Sequence, residues 1–297
     1  MAIYGTIEGG GTKFVCAVGD TPQDLREIVT FPTTTPEETL GQAISFLANH
    51  GPLDAIGLAM FGPLDLNRSS ATYGSVRATP KPGWSGVDVV SPFHETFGVP
   101  VGFDTDVNGA ALGEGRWGAG SGLDTFLYVT VGTGIGGGGV IGGDPMHGLV
   151  HPEIGHLRVP RHHEDSYAGR CPFHGDCLEG LASGPALADR WGRPVEELGA
   201  DIDRAIEFEA FVLGHAMANL VLTISPERII LGGGVMKIPG LLGATRNQML
   251  ESLRGYVDAH ELNDGIEQFL VAPELGDRSG IAGGLVLAER ASSESNR

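Results

Sequence analysis

The sequence predicts an α/β protein of two domains, and three observations carry that expectation. Strand-like and helix-like segments alternate along the chain. A strand–glycine turn–strand pattern in residues 3–20 returns in residues 123–144. The 297 residues are enough to bury two cores of ordinary size.

The first strand is expected from Ile3 to Ile7, within the segment IYGTIEGGGTKFVCAVGD, and another around Ile28–Phe31. Thr35-Pro36-Glu37-Glu38 then opens a helix to about Asn49, with Thr at the N-cap, Pro at the first position and Glu three residues on. Residues 54–60 read as a buried strand, 87–97 as a helix, Val99–Phe103 as a strand and Val107–Gly115 as a helix. In the second half, an ungapped shift of 124 lays Thr6-Ile7 on Thr130-Val131 and Gly19-Asp20 on Gly143-Asp144. A helix over about 203–224, a strand Arg228–Leu231, a helical region Gly234–Leu253, a strand Phe269–Ala272 and a helix from Ser279 complete the chain. The expected domains are 1–117, joined by a closing helix 280–297, and 118–279.

Composition narrows the function. The 37 acidic against 19 basic residues give a formal charge of −18, which argues against nucleic-acid binding and against an anionic membrane surface. No apolar run approaches the ~20 residues of a membrane span, and no charged-then-apolar leader precedes the first strand, so a cytoplasmic protein is expected. Three cysteines, two of them close together, suit a metal site better than a disulfide framework.

The 48 glycines cluster at 9–11, 132–139 and 232–234. Gly9-Gly10-Gly11-Thr12-Lys13 brings backbone N–H groups, a hydroxyl and an ammonium to a strand end, an inventory for holding a nucleotide phosphate. Gly132-Thr133-Gly134-Ile135-Gly136 offers a second such turn; two ordinary hairpins are the alternative. No G-x-x-x-x-G-K-[ST] string occurs, which excludes a P-loop. Gly132, Gly134 and Gly137 satisfy G-x-G-x-x-G, but the glycines that follow cannot start the helix a dinucleotide fold requires.

Two segments carry chemistry. Phe103-Asp104-Thr105-Asp106-Val107-Asn108 joins a strand to a helix, and an Asp there can take a proton from a hydroxyl attacking phosphorus; an N-cap role for Asp106 is the alternative. Cys171-Pro172-Phe173-His174-Gly175-Asp176-Cys177 presents C-x2-H-x2-C, and His156 supplies a fourth ligand for a structural zinc. His162 and His163 read as solvated loop residues, His151 as undecided and His147 as carrying no signal.

With these segments in order, the chain resembles the ROK family of bacterial sugar kinases, within it the fructokinase branch, over essentially its whole length. The resemblance rests on EGGGTK at 8–13, DTDVNGAALGE at 104–114, GTGIGGG at 132–138, HPEIGH at 151–156, CPFHGDCLEGLASGP at 171–185 and LGGGV at 231–235. It implies a hexokinase/actin-like pair of α/β domains, Asp106 as general base, and sugar hydroxyls held by Glu153, His156 and Glu179 with Thr105 alongside. ATP with Mg²⁺ would lie along Gly10, Gly11, Thr12, Lys13, Thr133, Gly134, Gly233 and Gly234. Zn²⁺ would sit on His156, Cys171, His174 and Cys177, and a homodimer is implied. Thr105 in place of the Asn of many ROK glucokinases, His174 in place of a third cysteine, and YGSVRATPKPGW at 73–84 are similar to the fructokinase branch. In that last segment Lys81, Pro82 and Trp84 are candidates for the pocket lining, or Trp84 for surface packing. A mannokinase or broad hexose kinase is the enzymatic rival. A ROK repressor is the non-enzymatic one, disfavoured by a first strand at residue 3 and by the acidic charge.

Overall fold

A computed structural model describes residues 2–295, which pack as two compact units. One comprises Met1–Gly122, Gly138–Pro152 and Glu274–Arg297; the other comprises Leu123–Gly137 and Glu153–Pro273. Residues 296 and 297 of the expected closing helix lie outside the described residues.

The first sheet has the order β3-β2-β1-β4-β5, built from β1 (Tyr4–Gly9), β2 (Lys13–Gly19), β3 (Leu25–Pro32), β4 (Ala55–Met60) and β5 (Val101–Thr105). β1 to β3 form an antiparallel meander, with Thr6 opposite Ala17, and β4 and β5 add in parallel. Parallel strands covered on both faces should be apolar throughout, and every residue of β4 is buried. Helix α1 (Pro36–Ala48) sends Leu40, Ala43 and Leu47 into the core at helical spacing. Its cap is as expected: Thr35 Oγ1 accepts from Glu38 N at 3.3 Å. Helix α2 covers only Ser91–Phe97. The expected start at 87 fails because Val87 O accepts from Val76 N and the Asp88 carboxylate accepts from Val90 N and Ser91 N, which turns the chain before the helix.

Helix α3 (Asp106–Trp117) and α10 (Ser279–Ser295) pack on each other, and α10 also packs on β1, β4 and β5. Backbone touches backbone there: a Cβ on Gly283 would overlap Gly109 O, and one on Gly57 would overlap Gly284 O. Only glycine permits that approach.

Glu114 of α3 is fully buried. Its carboxylate accepts from Ala119 N (2.8 Å), Glu274 N (3.1 Å), Leu275 N (3.0 Å) and Ser279 Oγ (2.6 Å), tying α3 to the approach of α10. Truncation would leave four donors without their acceptor. Glu114→Ala is expected to cost about 3–5 kcal/mol in a urea titration; a loss under ~1 kcal/mol would show that water replaces the carboxylate without penalty.

The second sheet has the order β10-β9-β6-β7-β8, from β6 (Phe126–Val131), β7 (Ile135–Ile141), β8 (Asp144–Pro145), β9 (Arg228–Gly232) and β10 (Leu270–Val271). Taken from the β8 edge, it repeats the first sheet's order, with β9 parallel to β6 and β10 parallel to β9. The strand bounds Tyr4–Gly9 and Lys13–Gly19 fall on Phe126–Val131 and Ile135–Ile141 with an offset of 122. The offset of 124 followed a few residue identities, Thr6 on Thr130 and Gly19-Asp20 on Gly143-Asp144, whereas the strand bounds themselves are two residues out of that register.

Helices α4 (Leu178–Ala182), α5 (Gly184–Trp191), α6 (Ile202–Ile224) and α7 (Leu241–Leu253) fill out the second unit, with α8 (His260–Asn263) and α9 (Ile266–Phe269) before β10. The helical region expected from Gly234 is interrupted, since Gly240 at φ +86° separates α7 from a short 3-10 turn at Val235–Lys237. Among the described residues one helix, Gly199–Ile224, is long and apolar enough to cross a membrane by length and composition alone, with Asp203, Arg204, Glu207 and Glu209 interrupting its apolar run. It packs on α7 and α4, and 67% of its apolar window is buried, as in the core helix of a folded unit.

Candidate active site

β5 runs straight into α3, so the carboxyl end of a parallel strand delivers its side chains at a helix start. Thr105 is the N-cap: its Oγ1 accepts from Asn108 N at 3.1 Å. The cap role weighed for Asp106 is therefore filled by its neighbour. Asp106 is the first helical residue, half-buried, with Oδ1 accepting from Val107 N at 2.9 Å. A carboxylate at a helix N-terminus meets the positive end of the backbone dipole. Asp104, buried, accepts from Thr105 N, Asn108 Nδ2 and His147 Nε2.

The EGGGTK turn is a tight hairpin between β1 and β2. Gly10 N–H closes it on Lys13 O at 2.9 Å, while Thr33 anchors it from the side, donating Oγ1 to Gly10 O (2.6 Å) and N–H to Thr12 O (2.9 Å). Gly10 N–H is thus spent inside the turn, and Gly11, Thr12 and Lys13 form its exposed part. Glu8, at the end of β1, has its carboxyl raised above the usual range by burial, partly offset by Lys13. Lys81 and Trp84 buttress this turn. Lys81 Nζ donates to Thr33 O at 2.9 Å and Trp84 Nε1 to Thr34 O at 2.9 Å. Trp84 is 0% exposed, packed against Phe14 and Phe61, so neither surface packing nor a pocket role describes it; Pro82 is exposed.

In the second unit the Gly132–Ile135 turn exposes Thr133 at its tip. Gly132 O accepts from Gly184 N at 2.8 Å, and Ile135 N donates to Glu179 Oε2 at 2.9 Å. Glu179 of α4 thereby grips the glycine turn, a contact that its expected role toward sugar did not include. After β9, Gly233 adopts φ +96° so close to Val131 that a Cβ would collide with its backbone, and Gly234 faces open space. Partial burial and then the charge of Glu179 hold the Glu153 carboxyl above its usual range.

The ligand loop is a small hairpin, with Cys171 and Gly175 exchanging both backbone hydrogen bonds. His156 Nδ1 lies 3.5 Å from Cys177 Sγ and 3.8 Å from Cys171 Sγ, and His174 Nδ1 lies 3.7 Å from Cys171 Sγ. All four ligand atoms fall within 4.8 Å of one another. Zinc bonds of about 2.0–2.3 Å put the corners of a tetrahedron roughly 3.3–3.8 Å apart, so this donor set fits Zn²⁺. Burial, opposed by a hydrogen bond from the Gly180 backbone, pushes the Cys177 thiol up to about 11. Because Nδ1 of His156 faces the sulfurs, Nε2 is the nitrogen left for a second contact.

Of the other histidines, His162 departs from expectation. His162 is buried between Phe208 and Phe211, not solvated, because the apolar face of α6 offers it ring contacts; His163 is exposed. His151, buried, accepts from Leu64 N through Nε2 at 3.0 Å. One buried group had no signal at all: Arg190 lies 3.2 Å from Asp165 and 3.7 Å from Glu209 while donating to Leu181 O, at the end of the helix that carries Glu179.

Twin sheets of one strand order, each with a glycine hairpin after its first long strand, give the chain an actin-like α/β fold and not a dinucleotide-binding one, since a strand and not a helix follows Gly134. A family model matches residues 4–291, and the chain belongs to the ROK family. It is 48% identical over 293 residues to a fructokinase of Zymomonas mobilis, covering 96% of each chain. It is 41% identical to a fructokinase of Lactococcus lactis, covering 91% of each. Among solved structures, a ROK family glucokinase from Streptomyces griseus in complex with glucose and AMPPNP superposes with a TM-score of 0.75 at 26% identity, covering 97% of this chain and 99% of that one.

Proposed function

We propose that the chain transfers the γ-phosphoryl group of ATP to the C6 hydroxyl of D-fructose, giving fructose 6-phosphate and ADP. The observation that carries this is an acid at the β5–α3 junction in a ROK chain whose relatives over nearly its whole length are fructokinases. Asp106 accepts the hydroxyl proton as the C6 oxygen attacks phosphorus, and the bond between γ-phosphorus and the bridging oxygen of ADP breaks. Thr105 fixes the turn that aims it. Glu153, His156 and Glu179 hold the sugar hydroxyls. Gly10, Gly11, Thr12 and Lys13, with Thr133, Gly134, Gly233 and Gly234, hold the nucleotide, which arrives with Mg²⁺. At Gly10 the contact runs past its N–H, which the hairpin already uses.

His156, Cys171, His174 and Cys177 would hold a structural Zn²⁺, which cross-links their loop. A homodimer and a cytoplasmic location belong to the same reading. Initial rates with fructose, mannose, glucose and N-acetylmannosamine at fixed MgATP test the substrate. Fructose is expected to show the highest kcat/KM; a higher value for mannose would make the chain a mannokinase with the same base.

A further inference from the structure

Asp104 stands one residue before the helix cap and two before Asp106. Its Oδ1 accepts from Thr105 N at 2.7 Å and Asn108 Nδ2 at 2.8 Å, and its Oδ2 accepts from His147 Nε2 at 2.9 Å. Asn108 Oδ1 in turn accepts from Gly139 N at 3.3 Å, and Met146 N donates to Gly139 O at 2.7 Å. The start of α3 is therefore strapped to residues 139–147, through Asn108 at one point and through the buried Asp104 carboxylate at the other.

We propose that His147 is a positioning residue for phosphoryl transfer: through Asp104 it fixes the Thr105–Asn108 turn and so the direction of the Asp106 carboxylate. This rests on Asp106 as the general base. A buried carboxylate that loses one partner must shift or recruit water, and its neighbours on the turn shift with it. Displacing a reacting group by about 1 Å costs on the order of 10²-fold in rate.

The hydrogen bond to Asp104 holds His147 above its ordinary value, against the opposing effect of partial burial. Facing the pair are His151 from the segment that carries His147, which feels both partners and Arg77 as well, and Tyr73 from the segment after β4, which feels Asp104. With the pKa raised, the charge-assisted bond is complete at low pH and weakens to a neutral one as pH rises through that value. The strap should thus loosen on the alkaline side.

The test measures kcat, both KM values and the pH profile for wild type, His147→Ala, His147→Gln and Asp106→Asn, well below each melting temperature. His147→Ala is expected to lower kcat by roughly 10–100-fold with KM changed less than about threefold. His147→Gln, whose amide nitrogen reaches about where Nε2 stands, should recover most of kcat at neutral pH and lose the alkaline decline. If the alanine variant does not fold, the pH profile of His147→Gln carries the test alone. Wild-type kcat in His147→Ala, or an unchanged alkaline limb in His147→Gln, would overturn the proposal while Asp106→Asn stays impaired. Wild-type kcat in Asp106→Asn would remove the base itself, a separate failure.

Discussion

Asp106→Asn is expected to lower kcat by roughly 10²–10⁴-fold while the protein melts within a few degrees of wild type. The substitution removes the proton acceptor and keeps the size and shape of the side chain. Thr105, not Asp106, caps α3, so the bond to Asn108 N survives. The Oδ1 that receives Val107 N has an equivalent in the amide oxygen of Asn. Some stabilisation of the helix N-terminus is lost with the charge, about 0.3–1 kcal/mol, too little to unfold a protein of this size. Turnover from coupled ADP release, beside a thermal melt, separates chemistry from folding. Near-wild-type kcat in the folded variant would show that another group takes the proton.

The second large effect is expected at the metal site. Elemental analysis should find one zinc per chain, and stripping it with a chelator should lower both the melting temperature and kcat. The coupling to turnover follows from position. Cys177 is the N-cap residue of α4, and two residues later Glu179 grips Ile135 N in the glycine turn. A loop freed of its metal therefore loosens that grip. The thiols must shed their protons to bind, and Cys177 sits at about 11 in the ion-free site. Zinc affinity should accordingly weaken as pH falls, by about tenfold per pH unit for each thiol proton displaced. Chelator-treated protein that is shown to be metal-free, yet keeps its melting temperature and kcat, would remove zinc from the account.

What the sequence disclosed follows the range of the forces involved. Thr35-Pro36 at the head of α1 and the apolar run of β4 are local signals, and both appear where expected. The cysteine–histidine spacing likewise brings its four ligands together. Boundaries failed where a turn overrode a helix-like pattern, as the Asp88 carboxylate does before α2 and Gly240 does before α7. The repeat identified the duplicated hairpin but misplaced its register by two residues, because the two copies share too few identities to fix one. Groups whose partners lie far along the chain gave no signal. His147 meets Asp104, 43 residues away, and Glu114 meets Ser279, 165 away. Trp84 showed an aromatic in a polar segment, and only Phe14, Phe61 and the Thr34 carbonyl explain why it is buried.

The most direct test is to identify the product. The protein is incubated with MgATP and D-fructose and followed by ³¹P and ¹H NMR until the ATP is consumed. The account predicts one equivalent of ADP and one of fructose 6-phosphate, with none formed when fructose is omitted. Phosphate on a different carbon, or ADP released with inorganic phosphate and no sugar phosphate, would contradict it.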